Sequence, residues 1–487
     1  MKTGNAPKGW LSLAQRARPF TVAVTLGKHS PVYVLLFGPP AVWALVDGEQ
    51  LFGSVLLAAC ALALTAQLAV RRHALPKDLR RIEALATVAL VFLIAALLSV
   101  PAFMTVGMSV PDAFFEAMSG ITTTGLSVAA DPDAWPFAVH VFRSWLQWVG
   151  GLVMATAVLA LILPSGLPTM RLGRVGSSEG DRIASTRLQA RQLLVAYSGL
   201  TIFGTALTLL VIEDWREAVV LSLSGASTGG FAPRSDSLAS YTVQAQITVM
   251  AGCLLGSVSL LTFVLVSQGK LRKAWDLGSL KRVGAIAVGA SGIVVGLLYA
   301  GGERSSDALA DGALNVISAL TTAGYSTSPM PASGAALMEF VCDMLIGADN
   351  GSTGGGLKLS RVSVAFTALR HAVRTPMLPD RAVAPLRSKG GLVEDNALIG
   401  LIALGLIYAM ALGLLCLHFL VHGYPAGPAL FDSVSTLSTV GLSMGLVGAD
   451  MPTDLKLTLA LGMWLGRLEF IAVIVLALPM TWRKRRT

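Results

Sequence analysis

Apolar residues run in stretches long enough to cross a bilayer as helix, about 20 residues each, and these stretches recur from one end of the chain to the other. Ten spanning segments are predicted: 31–46, 50–70, 84–103, 137–163, 188–212, 243–267, 283–301, 335–369, 397–421 and 454–481. The first is short and carries Pro39-Pro40, which predicts a kink. The eighth is too long for one straight span and contains Gly351-Ser352-Thr353-Gly354-Gly355-Gly356. Glycine costs about 1 kcal/mol per residue against alanine inside a helix, so the helix is predicted to break there.

Between the spans the chain repeats itself. Four connections carry Ser/Thr-Thr-x-Gly followed by a large apolar or aromatic residue: Thr122-Thr123-Thr124-Gly125-Leu126, Ser227-Thr228-Gly229-Gly230-Phe231, Thr321-Thr322-Ala323-Gly324-Tyr325 and Ser438-Thr439-Val440-Gly441-Leu442. Each has a serine six residues before its glycine: Ser119, Ser224, Ser318 and Ser435. Thirteen before the glycine stands Asp112, Glu217 or Asp311 in three copies and Pro428 in the fourth, which predicts the start of a short helix at that point. One copy alone reads as a Ser/Thr-rich turn. Four copies, each between two spans and each after a short apolar helix, read as a structural repeat. The units are 1–83 (cytoplasmic N-terminus and two helices), 84–187, 188–282, 283–396 with the glycine-rich interruption, and 397–487 with a basic tail.

Composition and charge sharpen this picture. Only 13% of residues are charged against 54% hydrophobic, where a soluble domain has roughly 25% charged, and the mean hydropathy is +0.68. The net charge of +9 raises the possibility of nucleic-acid binding, but the charge is distributed otherwise. Segments 1–29, 71–83, 165–187, 268–282, 370–395 and 482–487 hold 28 of the 37 Lys and Arg, while the alternate connections hold 15 Asp or Glu and 3 Arg. That alternation predicts a multi-pass protein with both termini cytoplasmic, not a basic face for nucleic acid. The four cysteines show no CxxC spacing and read as small core residues; the six histidines show no cluster, and no transition-metal site is expected. No cleavable signal peptide is apparent, since the first 30 residues are mixed and basic.

A re-entrant loop is tolerated at membrane depth only where it is buried in protein or lines water. Four repeated ones suit a ring around one axis. Glycine at the narrow point permits backbone conformations a side chain forbids, so carbonyl oxygens can replace the water of an alkali cation. The short helices would aim their negative C-terminal ends at the same axis, and the acidic outer connections would concentrate cations.

At this point the chain resembles the Trk/Ktr/HKT superfamily, and within it the TrkH-like pore subunit of bacterial potassium-uptake systems. The resemblance rests on Asp112 to Ser119 with Thr122 to Gly125, on Leu146-Gln147-Trp148-Val149-Gly150-Gly151, on Gly351 to Lys358, and on Gly466-Arg467-Leu468-Glu469, and it covers nearly the whole chain. It implies an all-α polytopic fold of four pseudo-symmetric helix, pore-loop, helix repeats around one pore, preceded by two extra N-terminal transmembrane helices. It also implies a homodimer in the bacterial inner membrane, surrounded by lipid, with cytoplasmic TrkA-like nucleotide-binding regulatory subunits. Gly125, Gly230, Gly324 and Gly441 match the family's filter glycines, which places potassium at the backbone of Thr123, Thr124, Gly125, Thr228, Gly229, Gly230, Thr322, Ala323, Gly324, Thr439, Val440 and Gly441. Relatives that carry sodium commonly have serine at the first of these glycines, so Gly125 favours potassium. No loop reads Thr-Val-Gly-Tyr-Gly as in potassium channels, so fewer carbonyl rings are expected.

Gly351 to Gly356 lacks the Gly-Lys-Ser/Thr ending and preceding strand of a phosphate loop. It is either a plain kink or, as the resemblance implies, an intramembrane gate facing Arg467. Arg467 lies well inside the last span, where a charge is costly and paired; Glu469, Asp349 and the loop carbonyls are its candidate partners. Glu339 and Asp343 share a helix face, lining an outer vestibule or pairing with Arg143. Lys358 and Arg361 are expected to snorkel toward the cytoplasm. No dinucleotide fingerprint follows a strand, so nucleotide sensing is expected in a partner; the basic loops 268–282 and 370–395 either dock that partner or serve topology alone. A sodium- or proton-coupled secondary transporter is the alternative; its folds often show inverted repeats, whereas these four loops all face outward. An intramembrane enzyme would need a nucleophile and base, or a metal motif, and the spans contain neither.

Overall fold

The computed structural model describes residues 16–74, 79–157, 179–331, 334–377, 379, 385–388, 391–393 and 395–482. The basic stretches at 1–15, 165–178 and 483–487, parts of 370–395, and the end of the predicted 137–163 span lie outside the described residues.

The protein is an all-helical, multi-span membrane protein. The one exception among the described residues is a two-residue antiparallel pairing of Arg387–Ser388 with Gly391–Leu392. The helices Pro19–His29, Pro31–Val46 and Gln50–Val70 come first. Four outer helix, short helix, inner helix successions follow. In the first, Arg81–Met104 leads to Val110–Ile121 and Phe137–Ala157; in the second, Glu179–Thr208 leads to Trp215–Ala226 and Val243–Ser257. In the third, Ser279–Ala300 leads to Ser306–Thr321 and Gly334–Ile346; in the fourth, Asp395–Val421 leads to Ala426–Leu437 and Thr453–Arg467.

Among the described residues, five helices are long and apolar enough to cross a membrane, and two bent pairs qualify if each is one span. Among these, the N-terminal run extends over Pro19–Val46, so the first span is not short, and Pro39 and Pro40 sit inside its helix without ending it. The predicted spans 243–267 and 454–481 are not single helices. Leu260–Ser267 turns 90° from Val243–Ser257, and Ile471–Ala477 turns 117° from Thr453–Arg467. The predicted break in 335–369 is present: helix ends at Ile346 and resumes at Leu359.

Each short helix starts on a local signal. Ser109 accepts from the Asp112 amide, Asp214 from Arg216 and Ser305 from Ala308, caps of the kind worth about 1 kcal/mol each. The third helix therefore begins five residues before Asp311, with Asp307 as its first-turn acid. The fourth starts after Pro425, whose fixed φ suits a helix entry.

The polarity of the packing is that of a protein dissolved in lipid. Leu51, Leu57, Leu62, Leu64 and Leu68 of Gln50–Val70 face outward, as do Ile399, Ile402, Leu406 and Leu414 of Asp395–Val421. The centre instead holds buried hydroxyls, including Ser119, Thr123, Ser224, Thr228, Ser318, Thr322, Ser435 and Thr439. An aromatic cluster around Phe142, with Phe103 at 5.4 Å, Phe52 at 5.8 Å and Phe37 at 6.0 Å between centroids, packs the N-terminal helices against the first repeat.

Candidate functional site: a ring of four loops and a glycine-rich loop

Each short helix ends in the same backbone turn. Two residues before the glycine, Thr123, Thr228, Thr322 and Thr439 have φ of 55°, 51°, 56° and 49°; the glycines Gly125, Gly230, Gly324 and Gly441 have 87°, 79°, 75° and 104°. A β-branched residue at positive φ is an outlier, and strain of this kind persists only where the surroundings hold it. Here it occurs at one position in all four repeats. The intervening residue is not in the positive-φ region, so φ alternates in sign across three residues, an arrangement that turns neighbouring peptide groups toward one concave side.

The four turns close on one another. A Cβ on Gly125 would lie 2.2 Å from the Gly229 carbonyl oxygen, on Gly230 2.1 Å from Ala323, on Gly324 2.2 Å from Val440, and on Gly441 2.2 Å from Thr124. Repeat one thus meets two, two meets three, three meets four, and four returns to one. No side chain fits at any of the four junctions. The short helices direct their C-terminal ends, each carrying about half an elementary negative charge, to this ring. The buried hydroxyls of Ser119, Thr123, Ser318 and Thr439 beside it have no protein partner.

Behind the ring, polar posts hold the chain after each glycine. Glu116 accepts from Ser127 Oγ at 3.1 Å and the Val128 amide at 3.3 Å, and pairs with Arg143 at 2.7 Å. Asn315 accepts from the Thr327 amide at 2.9 Å, and Asp432 from Ser443 Oγ and the Met444 amide, both at 2.8 Å. These three lie nine residues before their glycines, where the second repeat has Leu221. That repeat is held by Gln147, which donates to the Gly229 carbonyl at 2.5 Å and accepts from Ser224 Oγ at 2.6 Å and the Phe231 amide at 3.2 Å.

The glycine-rich loop lies against the C-terminal ends of three short helices. Thr353 Oγ1 donates to the Ala226 carbonyl at 3.0 Å, the Gly355 amide to Thr322 Oγ1 at 2.7 Å, and the Gly356 amide to the Ser438 carbonyl at 3.0 Å. A Cβ on Gly355 would stand 1.9 Å from that Ser438 oxygen, so the contact requires glycine. Two buried cations hold the loop: Arg467 Nη1 donates to the Thr353 carbonyl at 2.8 Å, and Lys358 Nζ donates to the Gly354 carbonyl. The break in the second inner helix meets the same loop, with the Asp349 amide on the Ser257 carbonyl at 3.1 Å and the Leu260 amide on the Gly351 carbonyl at 2.9 Å.

Residues 59–266 and 300–484 match the family described as TrkH, cation transport protein. The chain belongs to this family. It is a transporter and not an enzyme. An uncharacterized cation transporter of Methanocaldococcus jannaschii is 27% identical over 422 residues, covering 86% of each chain. The Trk system potassium uptake protein TrkI of Halomonas elongata is 29% identical over 77% of this chain and 79% of its own. The TrkH protein of Escherichia coli is 28% identical over 77% and 80%. The crystal structure of the potassium transporter TrkH from Vibrio parahaemolyticus superposes with a TM-score of 0.83, covering 96% of this chain and all of the other at 23% identity, a likeness of fold.

Within this TrkH-family fold several expectations change. Arg467 bonds a loop carbonyl; its other candidate partners are engaged elsewhere, Glu469 with Arg361 at 2.7 Å and Asp349 with Arg282 at 2.6 Å. Lys358 does not snorkel: it is buried beside the loop, where the loop carbonyl satisfies its ammonium. Arg143 pairs with Glu116 and not with Glu339 or Asp343. Cys342 is exposed on its helix, not a core residue. The histidines do form a cluster: His418 and His422 converge on Asp454. Gln147 and Glu116 lie inside the motifs that carry the resemblance, but those motifs give no role to them, nor to Asn315 and Asp432, although a polar residue nine before the glycine in three of four repeats is a legible signal.

Proposed function

We propose that this chain conducts potassium inward across the bacterial inner membrane, with the four-loop ring as its selectivity filter and the loop Gly351 to Gly356 with Arg467 as its gate. The closed cycle of the Thr124, Gly229, Ala323 and Val440 carbonyls carries this reading. A ring of backbone oxygens in a protein otherwise facing lipid is the arrangement that substitutes for the hydration of an alkali cation. The outward ends of the short helices hold Asp112, Glu217 and Asp307 in their first turns. An outer cavity of about 440 Å³ beside Glu217 is lined by Asp133, Asp214 and Asp236 with Arg234, which adds to the attraction for cations. In the outer loops the Ser235 hydroxyl and amide donate to Asp133, holding its carboxyl below the ordinary range and charged. The potassium-uptake names of the Halomonas elongata and Escherichia coli relatives support the choice of ion.

Four pseudo-symmetric repeats surround this one pore, and the two N-terminal spans stand outside them. The chain works as a homodimer, with TrkA-like nucleotide-binding subunits docked on the basic loops 268–282 and 370–395. Reconstituted into a planar bilayer, the purified chain is expected to give steady single-channel potassium currents. Strictly coupled flux that stops without a sodium or proton gradient would reject the channel reading.

Both termini lie in the cytoplasm in this reading, and the loops test it. In a background with the native cysteines replaced, Lys273→Cys is expected to react with an impermeant thiol reagent only from the cytoplasm, and Asp131→Cys only from outside. Both positions are exposed, whereas Ser279 in the same basic loop is fully buried and would mislead as a probe. Labelling of Lys273→Cys from outside overturns the orientation.

A further inference from the structure

Away from the ring and its loop, three metal-ligating side chains converge on one point. His418 and His422 are four residues apart where the helix Asp395–Val421 ends, a spacing that sets both imidazoles on one face. Asp454 comes from the first turn of Thr453–Arg467. The two Nε2 atoms reach the same carboxylate oxygen, 3.1 Å from His418 and 2.8 Å from His422. All three ligand atoms fall within 4.8 Å of one another. The imidazoles are 5.2 Å apart at 49°, so they converge without stacking flat.

We infer that this is an outward-facing binding site for a divalent transition-metal ion of the zinc type, with His418 Nε2, His422 Nε2 and one Asp454 oxygen as protein ligands. The donor set decides the class of ion. Two imidazoles and one carboxylate suit zinc, nickel or copper, whereas magnesium and calcium demand oxygen ligands throughout. The size also fits. Ligand distances near 2.0–2.2 Å put neighbouring donors around a tetrahedral ion about 3.3 Å apart. The two imidazole–carboxylate separations reach that value when the exposed Asp454 side chain moves by a few tenths of an ångström, and side-chain rotation of the partly exposed histidines sets the distance between their nitrogens. Asp454 is 57% exposed and the two histidines 26% and 27%, so the ion has a path from solvent and water completes its coordination. One imidazole would be enough for an ordinary ion pair at the helix end; the second, aimed at the same oxygen, is what a shared cation uses. None of the three side chains hydrogen-bonds to the ring or the glycine-rich loop. A bound ion would tie the outer end of the fourth outer helix to the inner helix that carries Arg467 at its other end.

The test is calorimetric titration of zinc chloride into the full chain in detergent, with any polyhistidine tag removed. One zinc ion per chain is expected, with no comparable binding of magnesium. His418→Ala, His422→Ala and Asp454→Asn should each weaken binding at least about tenfold, as loss of one of three protein ligands requires. Cobalt loaded into the unaltered chain provides a second measurement that needs no variant: the intense visible absorption of a four-coordinate site supports the assignment. No zinc binding up to about 100 μM, a level that leaves only weak affinity, overturns it. Unchanged stoichiometry and affinity in the folded His418→Ala, His422→Ala double variant overturns it equally, as does a weak cobalt spectrum of the six-coordinate kind.

Discussion

Replacing Arg467 with methionine is expected to raise potassium flux through the isolated chain by about tenfold or more while leaving the preference for potassium over sodium nearly intact. Arg467 donates one hydrogen bond to the loop, at the Thr353 carbonyl, while its Nε and Nη2 find no partner. A hydrogen bond from a charged donor contributes about 1.5–3 kcal/mol, and each 1.4 kcal/mol is tenfold in an equilibrium. Removing it shifts the loop toward states in which it no longer lies across the ends of the short helices. The fold itself should tolerate the change. A buried guanidinium with two unsatisfied donors offsets much of its own contribution through desolvation, and apolar replacement of such groups is often neutral. Lys358→Met should act in the same direction, because its ammonium holds the next residue of the loop. In the proposed reading both substitutions also remove a cation from beside the path, which lowers the energy of a potassium ion passing there. Flux into proteoliposomes holding this subunit alone measures the effect. Unchanged or reduced flux in correctly folded Arg467→Met, or altered selectivity without a gain in flux, would show that the loop is a structural kink.

The second large effect is expected at the ring. Gly125→Ser and Gly324→Ser should each lower the potassium-to-sodium permeability ratio by about tenfold, equivalent to about 1.4 kcal/mol of lost discrimination. At Gly324 the new Cβ would stand 2.2 Å from the Val440 oxygen and 2.9 Å from the Gly441 Cα. Relief of that contact requires the neighbouring loop to move by about 1 Å, since ordinary carbon contacts begin well beyond 3 Å. Such a shift exceeds the difference in radius between the two cations. The left-handed backbone at φ 75° adds roughly 1–2 kcal/mol of strain for any residue other than glycine. Reversal potentials in mixed potassium and sodium solutions give the ratio. An unchanged ratio in both folded variants would remove these glycines from the filter.

Much of this arrangement is legible in the chain itself because its causes are local. Span length, the alternation of basic and acidic connections, the four Thr-x-Gly turns and the break at Gly351 to Gly356 each depend on residues within a few turns of one another. The lipid solvent enforces them, since a backbone group at membrane depth must find its partner nearby or inside the protein. The common Ser/Thr-Thr-x-Gly pattern marks the position of the shared φ of Thr123, Thr228, Thr322 and Thr439, but the packed surroundings hold β-branched residues in that conformation.

Other features exist only in the folded chain. Gly256 and Gly466 stand beside the bends after Ser257 and Arg467, but a single glycine only weakens a helix without fixing a bend; the bend after Ser257 forms where the third repeat's loop supplies partners for the carbonyl of Ser257 and the amide of Leu260 in the second. Lys358 reads locally as a residue bound for the cytoplasm, and only the carbonyl of Gly354 folded back over it keeps it inside. Gln147 finds Gly229 across 82 residues, Arg467 finds Thr353 across 114, and His422 finds Asp454 across 32. The sequence by itself determined the repeating units and the glycines where backbones must touch, because sterics and transfer from water to lipid act residue by residue. Tertiary structure decided which backbone meets which and where each buried charge is satisfied, because a hydrogen bond at membrane depth goes to whichever distant segment the closed ring brings within about 3 Å.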